Sequence, residues 1–143
     1  MSKILRVRVI VQCALAFLVF ASTANAQSES FLLELNNAAD VDANCRLTYV
    51  ATNNTGVAFS TTDYEVAIFD GEGRVSSLLI LEFGDLPDRK TKVIQFDLLE
   101  TSCDGISRIV VNDLAGCVSN NEDSKLCLSN LITSSRTSID FGL

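Results

Sequence analysis

The sequence predicts an all-β domain, an antiparallel sandwich of about seven strands that spans residues 27–143. Short apolar segments recur at intervals of roughly 10 to 17 residues, with turn-forming residues between them. Apolar and polar residues alternate within these segments, and no stretch shows a convincing helical period. No repeat or linker divides the region, so we expect one domain. The strand candidates are 31–35, 45–52, 64–69, 75–83, 93–98, 106–111 and 137–141.

Alternation gives the candidate strands one apolar face each. In 45–52 the apolar set begins at Cys45, takes every second residue and ends at Ala51, and 93–98 alternates in the same way. We therefore expect two facing layers around a shared core. The run 78–81 is apolar at all four positions and is compatible with a buried helical turn, but its length and the flanking glycines favour a strand.

Turn-forming residues separate the strands. They are Asn-Asn-Thr-Gly at 53–56, Asp-Gly-Glu-Gly at 70–73 and Gly-Asp-Leu-Pro-Asp at 84–88. Asn, Asp and Gly tolerate positive φ, and Asp-Gly between two apolar runs is typical of a hairpin. Residues 114–135 are rich in Ser and Asn, so we expect a long loop there, with one short strand at 126–131.

Residues 1–26 have the three-part layout of a secretory signal peptide. Three basic residues lead into the apolar run 9–21, and Ala24-Asn25-Ala26 provides small residues before a cleavage point. An uncleaved anchor is the alternative, but this run falls short of the roughly 20 apolar residues that a helix needs to cross a bilayer. We expect cleavage after Ala26, no membrane insertion of the mature chain, and a periplasmic or secreted protein.

Cleavage leaves four cysteines, Cys45, Cys103, Cys117 and Cys127, an even set that indicates two disulfides in an exported domain. If consecutive strands alternate in direction, Cys45 and Cys103 lie at one end of the sandwich. Cys117 and Cys127 then lie at the other end, where a bond closes a short loop. Neither Cys-x2-Cys nor histidine is present, so a zinc site and a redox-active pair are both disfavoured.

The composition excludes several classes of function. Residues 27–143 contain 8 basic residues and all 18 acidic residues of the chain, a net charge of −10, and no histidine. This charge opposes binding to nucleic acid and to anionic membranes. Missing histidine excludes Ser-His-Asp and Cys-His catalysis. Carboxylates remain, but no pair stands out by its spacing, so we expect no enzyme and no cofactor.

The acidic segment 40–44 matches the first half of a calcium-binding loop, D-x-D-x-N. Cys45 stands where that loop requires Gly and Ala51 where it requires Glu, so the motif fails and we expect no metal site. A looser site at Asp40 and Asp42 remains the alternative to a solvated turn.

The basic residues Arg89, Lys90 and Lys92 cluster beside Pro87. One interpretation is a small contact for an anion. The other is a hairpin tip and a strand edge whose charges keep the edge from pairing with another chain, a common role for lysine at edges.

Three elements occur in order between Cys45 and Asn112. The segment 47–54 reads Leu-Thr-Tyr-Val-Ala-Thr-Asn-Asn, 64–73 reads Tyr-Glu-Val-Ala-Ile-Phe-Asp-Gly-Glu-Gly, and Gly-Asp-Leu-Pro at 84–87 precedes Ile-Gln-Phe. This order resembles small exported bacterial Ig-like domains of the FxLYD type, over about half of the chain. The chain is also similar to an uncharacterised family of exported proteobacterial proteins. The resemblance implies an Ig-like module that contacts something and has no catalytic residue, and it does not name the partner.

These observations predict a non-catalytic exported interaction module that binds a protein through sheet edges or through loops at one end. A disulfide-closed polar loop is preorganised and loses less entropy on binding, which favours the segment between Cys117 and Cys127. A solvated connection without a partner, an inhibitor or ligand-binding protein that presents this loop to a hydrolase, and a carboxylate-based enzyme are the alternatives. The candidate binding residues are Ser119, Asn120, Asn121, Glu122, Asp123 and Ser124.

Overall fold

A computed structural model describes residues 29–143, which form two stacked β-sheets of nine strands in all. Strands take up 65% of these residues and helical turns 6%, so the predicted all-β class is confirmed. The predicted signal peptide lies outside the described residues, and within them no helix is long and apolar enough to cross a membrane. The elements are β1 (Ser30–Val41), β2 (Asn44–Asn54), β3 (Thr61–Asp70), β4 (Val75–Glu82), β5 (Thr91–Leu98), β6 (Ile106–Ser119), β7 (Glu122–Asp123), α1 (Leu126–Ser129), β8 (Leu131–Ser135) and β9 (Asp140–Gly142).

The predicted purely antiparallel arrangement is wrong, because both sheets are mixed. The first has the order β5-β2-β1-β8 and the second the order β4-β3-β6-β7, with β9 also on β6. Strand β8 runs parallel to β1, and β9 runs parallel to β6. The turn α1 delivers the chain to the end where β1 begins, and there the Phe31 N–H donates to the Asn130 carbonyl at 2.8 Å. From that point β8 can only run alongside β1 in the same direction.

The long loop predicted at 114–135 is also wrong. Strand β6 continues to Ser119, the strand expected at 126–131 is mostly the helical turn α1, and β8 follows it. Two bulges explain the missed strand, because the register of β6 against β3 skips Asn112 and Ala115. Each bulge adds one residue and interrupts the period of two by which a strand is recognised in a sequence.

Several strand limits differ from those predicted. Strand β1 extends past Leu35 to Val41 through a register shift at Asn36. The candidate 137–141 is only β9, because the Ser135 and Thr137 hydroxyls hydrogen-bond around Ile139 and form a turn. Such local side-chain bonds compete with the strand ladder.

Aromatic rings fill the space between the sheets. The Phe83 ring lies 5.7 Å from the Tyr49 ring and 5.9 Å from the Tyr64 ring, both edge to face, and so connects β2 with β3. The predicted inward set of 45–52 is confirmed, since Cys45, Leu47, Tyr49 and Ala51 are all fully buried. Residues from both sheets therefore close one core.

Both predicted disulfides are present. Cys45 is the second residue of β2 in the first sheet and bonds to Cys103 just before β6 in the second, with 4.8 Å between their Cα atoms. Cys117 near the end of β6 bonds to Cys127 in α1, with 6.1 Å between their Cα atoms. One bond thus connects the two sheets at one end, and the other holds α1 against β6 at the opposite end.

Candidate functional site

The predicted binding loop is a tight β-hairpin. Ser119 pairs with Glu122 and Val118 pairs with Asp123, so β6 and β7 are joined by only Asn120 and Asn121. These two asparagines have φ of 52° and 62°, the left-handed conformation that a two-residue hairpin turn of the favoured type requires. The segment that we expected to be an irregular loop is therefore rigid; we call it the 117–127 hairpin, after its disulfide.

The disulfide attaches this hairpin to the core. Cys127 is fully buried and Cys117 nearly so. The buried Tyr64 hydroxyl donates to the Cys127 carbonyl at 2.6 Å, and the Ser124 N–H donates to the Cys117 carbonyl at 2.8 Å. Burial raises the pKa of the Tyr64 phenol, which keeps it protonated and able to donate. The base of the hairpin is thus held by covalent and hydrogen bonds.

The tip of the hairpin is polar, acidic and exposed. Asn120, Asn121, Glu122 and Asp123 are exposed, whereas Ser119 and Ser124 are partly buried. A rigid tip of amide and carboxylate groups can accept hydrogen bonds from a partner. The tip contains no nucleophile with an adjacent base.

The acidic segment 40–44 lies beside an open depression at the end of β1. Asp40 and Asp42 line an open depression of about 450 Å³ with Ala43, Glu100 and Ser102. One Asp40 carboxylate oxygen accepts a hydrogen bond from the Cys103 N–H at 2.8 Å, so it caps the turn beside the disulfide. Residues 29–143 contain no group of three or more potential metal ligands close enough to share an ion.

Three carboxylates have pKa values that clearly depart from the ordinary range, and all three are lowered. A side-chain hydrogen bond from Asn36 lowers the pKa of Glu34, and one from Arg46 lowers that of Asp97. Backbone N–H donation from Arg74 lowers the pKa of Asp70. A carboxylic general acid at neutral pH needs a raised pKa, so these environments act in the opposite direction.

The structure brings together an apolar and acidic surface that the sequence analysis missed. Leu78 and Ile80, two of the four apolar residues in the run 78–81 of β4, are each 58% exposed on the outer face of the second sheet. Beside them Asp63 stands opposite Glu82, and Glu65 stands opposite Asp113. Like charges that face each other across strands are destabilising. The sequence alone does not show that these acidic residues face one another, because that depends on the strand register.

The basic cluster beside Pro87 is divided between a turn and a strand. Arg89 has a φ of 58° in the exposed turn before β5, and Lys90 is exposed there as well. Lys92 lies in β5, and its ammonium group donates to the carbonyls of Phe83 at 2.8 Å and Asp85 at 3.1 Å. The three residues therefore do not form one anion-binding surface.

Two features of the described residues can serve recognition, the tip of the 117–127 hairpin and the exposed strand β4. The first is fixed by a disulfide, and the second lies at the margin of a sheet. Searches against protein families, curated proteins and solved structures found no match to this chain.

Proposed function

We propose that this chain is a non-catalytic exported module that binds another protein. The observation that carries this proposal is the filled interior: the Tyr49 and Tyr64 rings both pack edge to face against Phe83 at the centre of the sandwich. A binding site for a small substrate is ordinarily a concave, largely preformed cavity. The depressions at 40–44 and at the hairpin are open, with volumes of about 450 and 340 Å³, and they contain no catalytic arrangement.

Export is supported by the redox chemistry of the cysteines. All four cysteines of residues 27–143 form disulfides, and such bonds persist in oxidising compartments such as the periplasm or the outside of the cell. The basic and apolar layout of residues 1–26 supports the same destination. The proposed mature chain begins at Gln27.

The pairing of the strands supports an Ig-like assignment. Neighbours β2–β5 in one sheet and β4–β3–β6 in the other match the second and fifth, and the third and sixth, strands of an Ig sandwich. The Cys45–Cys103 bond joins the regions that correspond to its second and sixth strands. The parallel strands β8 and β9 are a departure from that fold, and relation to the FxLYD type stays a proposal on the sequence elements given above.

The hairpin is the candidate contact surface for this function. Its tip is exposed and rigid, so that little conformational entropy is lost on binding. The same rigidity favours a second candidate function, an inhibitor that inserts the tip into a hydrolase or another ligand-binding cleft. If the chain is an inhibitor, the captured partner must lose its activity when this chain binds to it.

The test is capture of partners from the envelope fraction of the host by purified residues 27–143. A hairpin variant, Glu122→Lys with Asp123→Lys, reverses two exposed charges and leaves the asparagine turn in place. A matched control, Glu100→Lys with Asp104→Lys, makes the same charge change on exposed residues at the opposite end. We expect at least one captured protein to be lost with the hairpin variant and kept with the control.

Three results would contradict parts of this proposal. Failure to enrich any protein above an unrelated disulfide-containing domain would remove the interaction function. Equal capture by all three forms would remove the hairpin as the contact surface. A free thiol on any of the four cysteines in protein recovered from its host would remove the export argument.

A further inference from the structure

We propose that strand β4 binds an extended segment of a protein partner, which adds to the second sheet as a further strand and places a basic residue beside Glu82. This inference rests on the proposed interaction function and names a surface and a partner chemistry for it. The surface, here called the β4 edge, consists of the side of Val75–Glu82 that faces away from β3, together with the exposed side chains of Leu78 and Ile80.

The backbone of β4 has one unpaired side within the described chain. The Phe83 N–H donates to the Thr62 carbonyl of β3 at 2.9 Å. In an antiparallel pair the residues that bond to the neighbour alternate with those that do not, so Leu79 and Leu81 also bond towards β3. The N–H and C=O groups of Leu78 and Ile80 therefore point away from β3, and β4 is the terminal strand of its sheet.

The composition of β4 leaves this edge open to pairing. Val75–Glu82 contains neither lysine nor proline, and no charged residue precedes Glu82 at its end. Natural sheets protect terminal strands with such residues, with inward-pointing charges or by making the strand very short. With eight residues, β4 is longer than an ordinary strand of five or six residues.

An added strand also finds room for a side chain that points inward. An open depression of about 430 Å³ lies between β4 and the end of β5, and its apolar lining includes Leu79, Leu98 and Leu99. Alternate side chains of a strand point to opposite faces. A segment beside β4 can therefore place one apolar side chain in this depression and the next beside Leu78 or Ile80.

Charge selects the partner. The face beside the Ile80 end of β4 has four carboxylates, Asp63, Glu65, Glu82 and Asp113, and none of them forms an ion pair with a residue of the described chain. The four carboxylates form two directly opposed cross-strand pairs, Asp63 with Glu82 and Glu65 with Asp113. A lysine or arginine on the added strand relieves this repulsion.

The same charge disfavours a second copy of this chain as the occupant. Each copy carries a net charge of −10 over residues 27–143, and pairing of two β4 edges brings two acidic surfaces together. The occupant that fits is an extended segment of another protein, apolar at alternate positions and basic at the end that lies beside Glu82. Addition of a strand to an exposed sheet edge is a recurring mode of peptide recognition.

The probe for the experiment is a fluorescein-labelled peptide of alternating Thr and Val with a Lys at each end. A second probe has Glu in place of each Lys. Fluorescence anisotropy at low salt measures their affinities for residues 27–143. We expect the Lys-ended peptide to bind about tenfold more tightly, because opposite charges that face each other across strands attract and like charges repel.

A pair of proline variants locates the binding. Ile80→Pro removes an N–H that points to the open side of β4 and leaves the bonds to β3 intact. Val93→Pro is the matched control on β5, because the Asn53 N–H donates to the Lys90 carbonyl and the same alternation then directs the Val93 N–H away from β2. We expect the first variant to weaken binding at least tenfold and the second to leave the affinity unchanged.

A charge reversal tests the basic requirement without disturbing the strand. Glu82→Lys removes one half of a repulsive pair, so the variant folds at least as well as the parent protein. We expect the preference for the Lys-ended peptide to fall about fivefold. This variant keeps the inference testable even if Ile80→Pro does not fold.

Four outcomes would overturn the inference. The first three are no binding of the Lys-ended peptide, equal affinity for both peptides, and equal loss of affinity in both proline variants. The fourth is a dimer in sedimentation that Ile80→Pro abolishes and Val93→Pro does not, since the occupant would then be a second copy. If envelope partners are captured and lost with the hairpin variant while the peptides do not bind, this inference fails and the interaction function stands. If no envelope protein is captured, the interaction function itself fails.

Discussion

Strands β4 and β5 are the terminal strands on one side of the two sheets, and they flank the same depression. Both have eight residues, and both present exposed aliphatic side chains to solvent, Ile80 in one and Val93 in the other. They differ in the charged residues that they contain. β5 contains Lys92 and Asp97, whereas the only charge in β4 is its last residue, Glu82.

Lys92 gives β5 an inward-pointing charge. It shares a strand face with Ile94 and Phe96, which pack against the core, and its ammonium group binds two carbonyls of the chain that follows β4. A strand that docks against β5 would have to bury this charge or break those bonds, and both cost free energy. An edge is therefore closed to pairing by one residue at the right position, and β4 has no equivalent of Lys92.

The end of β5 is also held covalently, unlike the end of β4. Cys45 pairs with Leu98 in the ladder, and its disulfide partner Cys103 lies just beyond β5 in the chain. Arg46 in β2 adds two hydrogen bonds of 2.7 Å each to the Asp97 carboxylate. The β5 edge is thus adapted for stability, whereas the β4 edge remains available for binding.

Removal of the disulfide beside β5 has the largest expected effect. Cys45→Ala with Cys103→Ala opens a loop that spans 58 positions, which costs about 4 kcal/mol of unfolding free energy in the chain-entropy account. We expect hydrogen exchange to accelerate more in β5 than in β4. Chemical denaturation gives the first quantity and exchange mass spectrometry gives the second.

The matched control removes the other disulfide. Cys117→Ala with Cys127→Ala opens a loop that spans 10 positions and costs about 3 kcal/mol. Exchange should then accelerate in β6 and α1, with β4 and β5 unchanged relative to each other. If either double variant loosens both edges equally, the covalent anchoring of β5 does not distinguish it from β4.

Lys92 offers the next largest effect. Lys92→Met keeps most of the aliphatic stem and removes the bonds to Phe83 and Asp85, at a cost of about 1 to 2 kcal/mol, because hydrogen bonds to charged groups are the stronger ones. It also opens β5 to strand addition. We expect the variant to bind the Thr-Val peptide even when Ile80→Pro blocks β4.

Lys90→Met is the control for this variant, since Lys90 is exposed in the turn before β5. It should keep the stability of the parent protein and remain dependent on β4 for peptide binding. A Lys92→Met protein whose β5 stays closed would show that something other than the inward charge protects that edge.

The two strands next to the edges each carry a buried tyrosine, and the two tyrosines differ in the hydrogen bonding of their hydroxyls. Tyr64 in β3 donates to the Cys127 carbonyl, whereas the Tyr49 hydroxyl in β2 has no hydrogen-bond partner among residues 29–143. Tyr64→Phe removes a bond and leaves a buried carbonyl with one partner fewer, so we expect a loss of about 1 kcal/mol. Tyr49→Phe removes an unsatisfied hydroxyl and should be neutral or stabilising. Equal losses in thermal denaturation would contradict this difference.

The sequence predicted those parts of the fold that depend on local patterns. Turn residues at 70–73 and alternation in 45–52 are short-range signals, and β3–β4 and the inward face of β2 follow them. The disulfide pairs followed from the order of the strands. The parallel placement of β8 could not be predicted, because it depends on where α1 delivers the chain in three dimensions.

The candidate site was predicted unevenly for similar reasons. The turn at Asn120 and Asn121 is a recognisable hairpin signal, but the bulges in β6 hid the strand that leads into it. In 78–81 all four residues are apolar, so no alternation indicates which two face solvent. Only the pairing with β3 shows that Leu79 and Leu81 turn inward and that Leu78 and Ile80 remain exposed.

The smallest expected effect is a difference between the two edges in what the removal of one carboxylate does to stability. The hydrogen bond and charge of Arg46 lower the pKa of Asp97 in the folded protein, so this contact stabilises the fold above the ordinary aspartate pKa of about 4. The contribution is lost as pH falls through the lowered value. Asp97→Asn should therefore be less stable than the parent protein at neutral pH, and the gap should close below about pH 4.

The β4 side should respond in the opposite sense. Glu82 faces Asp63 with no basic partner in the described chain, so Glu82→Gln removes a repulsion and should stabilise the protein at neutral pH. Thermal denaturation of both variants at neutral pH, and of Asp97→Asn across the acid range, measures these effects. A gap of the same sign for both variants would contradict the comparison, because it would mean that the acids beside β4 contribute to stability as Asp97 does and are not held ready for a basic partner.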